Sequence, residues 1–133
     1  MDHMPGRPKI LVVDDSEALR RLLETALARA GFETILAASG ADACVRLTEK
    51  PAIDLALLDV RMPGLSGPET FLALKAKQPN LRCCFMTGDC GDYDPTELIR
   101  MGALAVIPKP FHLADLVQSL RGFLQESNPA RAA

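Results

Sequence analysis

The chain has 133 residues, 48% of them hydrophobic and 24% charged, a size and balance that suit one globular domain and leave no comfortable room for two. A formal net charge of -2 supplies no basic field, which argues against nucleic-acid binding through this chain. The longest apolar stretches, such as 10–13 and 55–58, fall far short of the roughly 20 residues of a membrane-spanning helix. No signal-peptide core opens the sequence, and the expectation is a cytoplasmic protein with no membrane partner.

Short apolar runs bounded by turn residues alternate with longer segments whose apolar residues recur at three and four, the pattern of repeated β-α units. Such units build an α/β domain with a mostly parallel sheet covered on both faces. Met1-Asp2-His3-Met4 admits a natural start or a cloning remnant, and His3 beside an internal methionine favours the second; residues 1–8 are read as a tail.

The first predicted strand, 9–13, ends in Asp14-Asp15-Ser16, where Ser16 caps the helix that follows. Leu19, Leu22, Leu23, Ala26 and Leu27 form that helix's apolar stripe, and Gly31 stops it. A second strand is expected over 33–37 and a second helix over 41–49, closed by Lys50-Pro51. The third strand, 54–58, delivers Asp59 and leads through the turn Met62-Pro63-Gly64 to Ser66. Ser66 and Glu69 have capping-box spacing, with Pro68 in the first turn of a helix running to about Lys77.

The fourth strand, 81–86, ends at Thr87-Gly88, and Asp94-Pro95-Thr96-Glu97 repeats the capping logic before a helix that must stop by Gly102. That helix holds barely two turns. A fifth strand, 104–107, leads into Pro108-Lys109-Pro110, and the last helix sets Leu113, Leu116, Val117, Leu120 and Leu124 on one face. The predicted domain is 9–126, followed by a disordered tail at 127–133.

Ligands of open parallel sheets bind beyond the carboxyl ends of the strands, where this pattern gathers Asp14, Asp15, Asp59, Thr87 and Lys109. Each has an ordinary explanation alone: acids precede helices, a hydroxyl ends a strand, a lysine is solvated. Together, three carboxylates at one edge repel one another, and a hard divalent cation, Mg2+, is the expected relief. Asp59 can then attack phosphorus to give an aspartyl phosphate, with the metal and Lys109 neutralising charge on the oxygens and Thr87 hydrogen-bonding one of them.

Asp14-Asp15, Leu57-Leu58-Asp59, Met62-Pro63-Gly64, Thr87 and Lys109-Pro110-Phe111 together resemble the receiver domains of bacterial two-component response regulators, over roughly residues 8–125. The resemblance implies a doubly wound five-stranded parallel sheet of order 2-1-3-4-5 with five flanking helices, the flavodoxin-like arrangement, and a site between strands one and three. It also implies Asp59 as phosphoacceptor, and Mg2+ held by Asp14, Asp15, Asp59 and the main-chain carbonyl of Arg61. Thr87, Gly88 and Lys109 would contact the phosphoryl group, and the Lys109-Pro110 bond would be cis.

The implied donor is a phosphohistidine on a sensor histidine kinase or histidine phosphotransfer protein, docking near the first helix and the site loops. The implied output is a shifted binding surface for a downstream protein, on a monomer or weak homodimer that is no enzyme beyond assisting its own phosphorylation and dephosphorylation. Because the sequence ends just after the fifth helix, no output domain is expected, which fits a phosphorelay shuttle or a receiver cut from a larger regulator or hybrid kinase.

Two departures stand out. The switch position on the fifth strand, three residues before the lysine, is Val106 where an aromatic is usual, and valine is stiff and small. Cys90-Gly91-Asp92-Tyr93-Asp94-Pro95 opposes an early start of the fourth helix and predicts a long loop before a short helix. Tyr93 is read as a cover over apolar surface in preference to a displaced switch aromatic.

Cys83 and Cys84 are read as core residues, and all four cysteines as reduced thiols, because no zinc-type spacing or histidine cluster accompanies them. His112 is read as a helix-end residue, and Arg61 and Asp89 as flanking groups that tune access of water. Two rival functions carry less weight. A Mg2+-dependent phosphohydrolase would need its second acid two residues after the first and a cap domain. A phosphorylation-independent interaction module would leave the acid, threonine and lysine set without a purpose.

Overall fold

The computed structural model describes residues 6–50, 52–88 and 93–125. The readings made for most of the N-terminal tail, for Asp89, Cys90 and Gly91, and for the C-terminal tail lie outside the described residues. The elements are β1 (Lys9–Val13), α1 (Glu17–Arg29), β2 (Glu33–Ala37), α2 (Gly40–Glu49), β3 (Leu55–Asp59), α3 (Gly67–Lys77), β4 (Cys83–Thr87), α4 (Pro95–Arg100), β5 (Ala105–Pro108) and α5 (Leu113–Gln125).

Among the described residues the strands form one parallel sheet in the order β2-β1-β3-β4-β5, the topology the resemblance implied. Side chains of the central strands alternate between its two faces. Leu11, Val13, Ala56, Leu58, Cys83 and Phe85 pack with Ala43 and Leu47 of α2, Phe71 and Leu74 of α3 and Leu98 of α4. Ile10, Val12, Leu55, Leu57, Cys84 and Met86 pack on the other side with Leu23 and Leu27 of α1 and Leu116 and Leu120 of α5. Two covered faces explain why β1, β3 and β4 read as unbroken apolar runs.

Helix boundaries follow from local chemistry. Ser66 and Glu69 close a reciprocal capping box at α3, Asp94 and Glu97 another at α4, and a proline stands in the first turn of each helix. Gly31 (φ 95°) and Gly102 (φ 114°) take the left-handed conformation that ends α1 and α4. Tyr93 and Asp94 are not helical, so α4 is six residues long, as the opposing Gly and Pro positions anticipated.

Several boundaries differ from the sequence-based expectation. β4 begins at Cys83, later than predicted, because Leu81 donates its N–H to the Gln78 carbonyl at 3.0 Å and completes the turn after α3. Its apolar character reflects burial at the end of the core. β3 and β5 each run one residue further than predicted, through Asp59 and Pro108. α2 starts one residue early, at Gly40, because Ser39 caps it by accepting the Asp42 N–H at 3.1 Å.

The rings of Phe71 and Phe85 meet edge-on, with centroids 6.1 Å apart at 87°, and both are almost wholly buried. Phe85→Ala leaves a cavity under α3 and is expected to lower the unfolding free energy by about 3–5 kcal/mol in urea denaturation. A loss below about 1 kcal/mol would mean that α3 does not depend on this contact.

Candidate functional site

The strand ends bring the five selected side chains to one edge of the sheet. Asp14 follows β1 directly and is fully buried. Its main-chain N–H donates to the Ala37 carbonyl at 3.2 Å, its Oδ1 accepts the Ser16 N–H at 2.8 Å and its Oδ2 accepts from Lys109 Nζ at 2.8 Å. Asp15, next in the chain, is exposed. Asp59, the last residue of β3, is 8% exposed, with Oδ1 3.5 Å from Lys109 Nζ.

Asp14, Asp15 and Asp59 each offer a carboxylate oxygen, all within 4.8 Å of one another. Thr87 ends β4 and is nearly buried, its carbonyl accepting the Lys109 N–H at 2.8 Å. Gly88 follows it, exposed, beside the Lys109 side chain. The Lys109-Pro110 peptide is cis. Arg61 is exposed two residues beyond Asp59. Val106 pairs in register with Phe85 and packs against the α3 side of the core.

Burial raises the Asp59 carboxyl above its ordinary value, and the negative charge of Asp14 raises it further; the ammonium of Lys109 pulls it down without winning. For Lys109, burial pulls downward, but the hydrogen bond to Asp14 and the charges of Asp14 and Asp59 outweigh it and hold the ammonium above the usual lysine range. Lys109 therefore stays cationic, with one positive charge among the carboxylates of Asp14, Asp15 and Asp59. This excess of negative charge, presented by oxygen donors alone, fits a hard divalent ion such as Mg2+, and Asp14, Asp15 and Asp59 are the side chains able to hold it.

Two contributors were passed over in the sequence. Arg20, one turn into α1, donates from Nη1 to the Asp14 carbonyl at 2.7 Å, pinning the acidic turn from behind; an arginine shortly after an acidic strand end was the available signal. Gly67 sits so close to β3 that a Cβ there would run into the Asp59 carbonyl oxygen, and its N–H donates to the Val60 carbonyl at 2.8 Å. A glycine directly after a capping serine hinted at such a close approach.

The family model for the response regulator receiver domain matches residues 10–121. The chain belongs to the response regulator receiver domain family. This receiver is 36% identical over 118 residues to sporulation initiation phosphotransferase F of Bacillus subtilis (strain 168), covering 87% of this chain and 93% of that protein. It is 37% identical over 108 residues to the uncharacterized transcriptional regulatory protein YrkP of the same organism, covering 81% of this chain and 46% of that one. The chain thus spans about half the length of YrkP, and 53% of PrrA of Mycobacterium tuberculosis (strain ATCC 25618 / H37Rv).

Among solved structures, the non-phosphorylated HemR receiver domain of Leptospira biflexa matches with a TM-score of 0.82 at 29% identity, over 92% of this chain and 98% of that one. The CheX-CheY-BeF3-Mg2+ complex of Borrelia burgdorferi matches with a TM-score of 0.81 at 25% identity, over 90% of each chain. Neither rival reading, hydrolase or phosphorylation-independent module, is favoured by these relatives.

The raised Asp59 value sets a pH dependence. The folded receiver binds this proton more tightly than the unfolded chain, so the associated stability is fully present below the ordinary value of 3.8 and is lost as pH rises through the raised one. Ionised Asp59 is then a net cost in metal-free protein near neutral pH. Asp59→Asn is expected to raise the thermal midpoint in EDTA at about pH 7, with the gain fading toward about pH 3. Scanning calorimetry that finds equal midpoints at neutral pH would mean that Lys109 already neutralises the carboxylate.

Proposed function

We propose that Asp59 accepts a phosphoryl group from a phosphohistidine donor in a Mg2+-dependent step, and that the product shifts the conformation of a partner-binding surface. The observation that carries this reading is the convergence of three carboxylates within 4.8 Å around an ammonium 2.8 Å from Asp14 and 3.5 Å from Asp59. In this reading Asp14, Asp15, Asp59 and the main-chain carbonyl of Arg61 would hold the ion, which when bound would supply neutralisation of the charge on the phosphoryl oxygens.

A carboxylate oxygen of Asp59 forms the bond to phosphorus as the phosphorus–nitrogen bond of the donor breaks, leaving imidazole. Lys109 keeps its proton throughout because its acids hold it above the usual lysine range, so it is available to pair with the equatorial oxygens. The Thr87 hydroxyl and the main chain at Gly88 lie at the adjacent strand end and contact the same oxygens.

A cavity of about 400 Å³ beside Lys109, lined by Leu19 and Leu22 of α1 and by Pro110, Phe111 and Leu113, supports donor docking on α1 and the site loops. Leu22 is half exposed there, as an apolar anchor for a partner would be. The donor is then a sensor histidine kinase or histidine phosphotransfer protein in the cytoplasm, and the receiver is a signalling domain within a two-component system or phosphorelay.

Intact-mass spectrometry after incubation with Mg2+ and acetyl phosphate tests the chemistry. Wild type is expected to gain one acid-stable, base-labile phosphoryl adduct that EDTA prevents and Asp59→Asn lacks. Lys109→Ala is expected to slow adduct formation at least about tenfold. No adduct on wild type, with a phosphohistidine donor also tried, would replace this reading with a phosphorylation-independent interaction module.

A further inference from the structure

The corner between β2 and α2, Ala37-Ala38-Ser39-Gly40, offers no titratable side chain, yet it bears on both segments that deliver site carboxylates. The carbonyl of Ala37, the last residue of β2, accepts the Asp14 N–H at 3.2 Å. Ser39 Oγ accepts the Asp42 N–H at 3.1 Å and Asp42 Oδ2 accepts the Ala38 N–H at 3.2 Å, so the turn into α2 is fastened from both sides. Gly40, the first residue of α2, then lies against the connection between β3 and α3. A Cβ there would run into Thr70 Oγ1 and come within 2.8 Å of Leu65 Cβ.

Neither neighbour of Gly40 yields cheaply. Thr70 is fully buried, and its hydroxyl donates at 2.8 Å to the Ser66 carbonyl, which also accepts the Thr70 N–H at 2.9 Å. Leu65 belongs to the loop that opens at Val60, whose N–H donates to the Met86 carbonyl at 3.1 Å, and closes at Gly67, whose N–H returns to the Val60 carbonyl. Asp59 stands immediately before that loop and Arg61 within it. Gly40 is helical and its φ is not positive, so the position calls for a missing side chain and not for an unusual dihedral. One fastened corner thus spans the gap between the Asp14 turn, through Ala37, and the loop after Asp59, through Gly40.

We propose that the β2–α2 corner is a bracket that sets the distance between the Asp14 turn and the loop after Asp59, with Gly40 as the positioning residue through which it acts. This deepens the Mg2+-dependent reading of the acidic edge and rests on it. Magnesium demands near-ideal octahedral geometry, so oxygens supplied from two separate strand ends serve it only while their spacing is held. A side chain at position 40 pushes the loop from α2 or tilts α2 from the loop, and each movement changes that spacing. Gly40 acts through Leu65 and Thr70 without touching the reacting atoms.

Calorimetric titration of Mg2+ into the full chain, paired with urea unfolding in EDTA, tests the bracket. Gly40→Ala is expected to weaken Mg2+ binding roughly 10- to 100-fold, the effect of disturbing groups that orient metal ligands. Thr70→Ala, which loosens the same contact from the α3 side, is expected to weaken it about 2- to 10-fold. The Thr70→Ala substitution also makes room for the added methyl, so Gly40→Ala/Thr70→Ala is expected to bind Mg2+ within about twofold of Thr70→Ala alone. Leu120→Ala, in the core on the α5 face of the sheet, is expected to lower the urea midpoint at unchanged Mg2+ affinity, which separates site geometry from general loss of stability. Wild-type Mg2+ affinity in Gly40→Ala, or effects of the two substitutions that simply add, overturns the bracket and leaves the Mg2+ reading standing. If Gly40→Ala alone does not fold, unchanged affinity in Thr70→Ala overturns it instead. A wild type that binds no Mg2+ overturns both.

Discussion

Lys109 reaches from the end of β5 to Asp14, a carboxylate that has no contact with solvent. A buried acid without a partner would cost several kcal/mol, on the order of 3–5 for a broken buried pair, so this ion pair is the condition under which β1 can end in an acid at all. It is also incomplete. The same ammonium is stretched toward Asp59, whose carboxyl stays above its ordinary value because burial and Asp14 together outweigh Lys109. The edge of the sheet is thereby held in a state of electrostatic debt that a divalent cation, and then a transferable anion, can resolve. Arg20, the Ser16 N–H and the close approach of Gly67 keep the groups in place while that imbalance persists.

The fold was legible because its two periodicities are clean. Apolar runs in β1, β3 and β4 meet a core on both faces, and Leu19, Leu23 and Leu27 of α1 and the stripe of α5 meet the face that carries Ile10, Leu57 and Met86, while Leu22 of the expected α1 stripe is half exposed. Boundaries were less legible where one apolar residue can serve either of two neighbouring structures. Leu81 looks like the start of a strand and instead closes the turn after α3. Ser39 caps α2, but a serine before a glycine reads equally well as a plain turn.

The candidate site was legible as a set of residue types at strand ends, since three acids, a threonine and a lysine in that order have few other uses. What could not be read was how they are braced. Arg20 acts on a main-chain carbonyl, and main-chain partners leave no pattern in a sequence. The contact between Ser66 and Tyr93 joins residues 27 apart across two connections, neither of which announces the other. Val106 was recognised as unusual from its type alone, yet where it packs, against the α3 side of the core, depends on register that only the folded sheet fixes.

The adjacent cysteines of β4 point to opposite faces, Cys83 toward α3 and Cys84 toward α1 and α5, and neither has solvent exposure. Burial pushes the Cys84 thiol up to about 12 and raises Cys83 as well, so neither forms an appreciable thiolate at neutral pH. Oxidants and alkylating reagents can reach them only when the central strand separates from its helices. The rate at which these two sulfurs become modified therefore reports how often β4 separates from the helices that cover it.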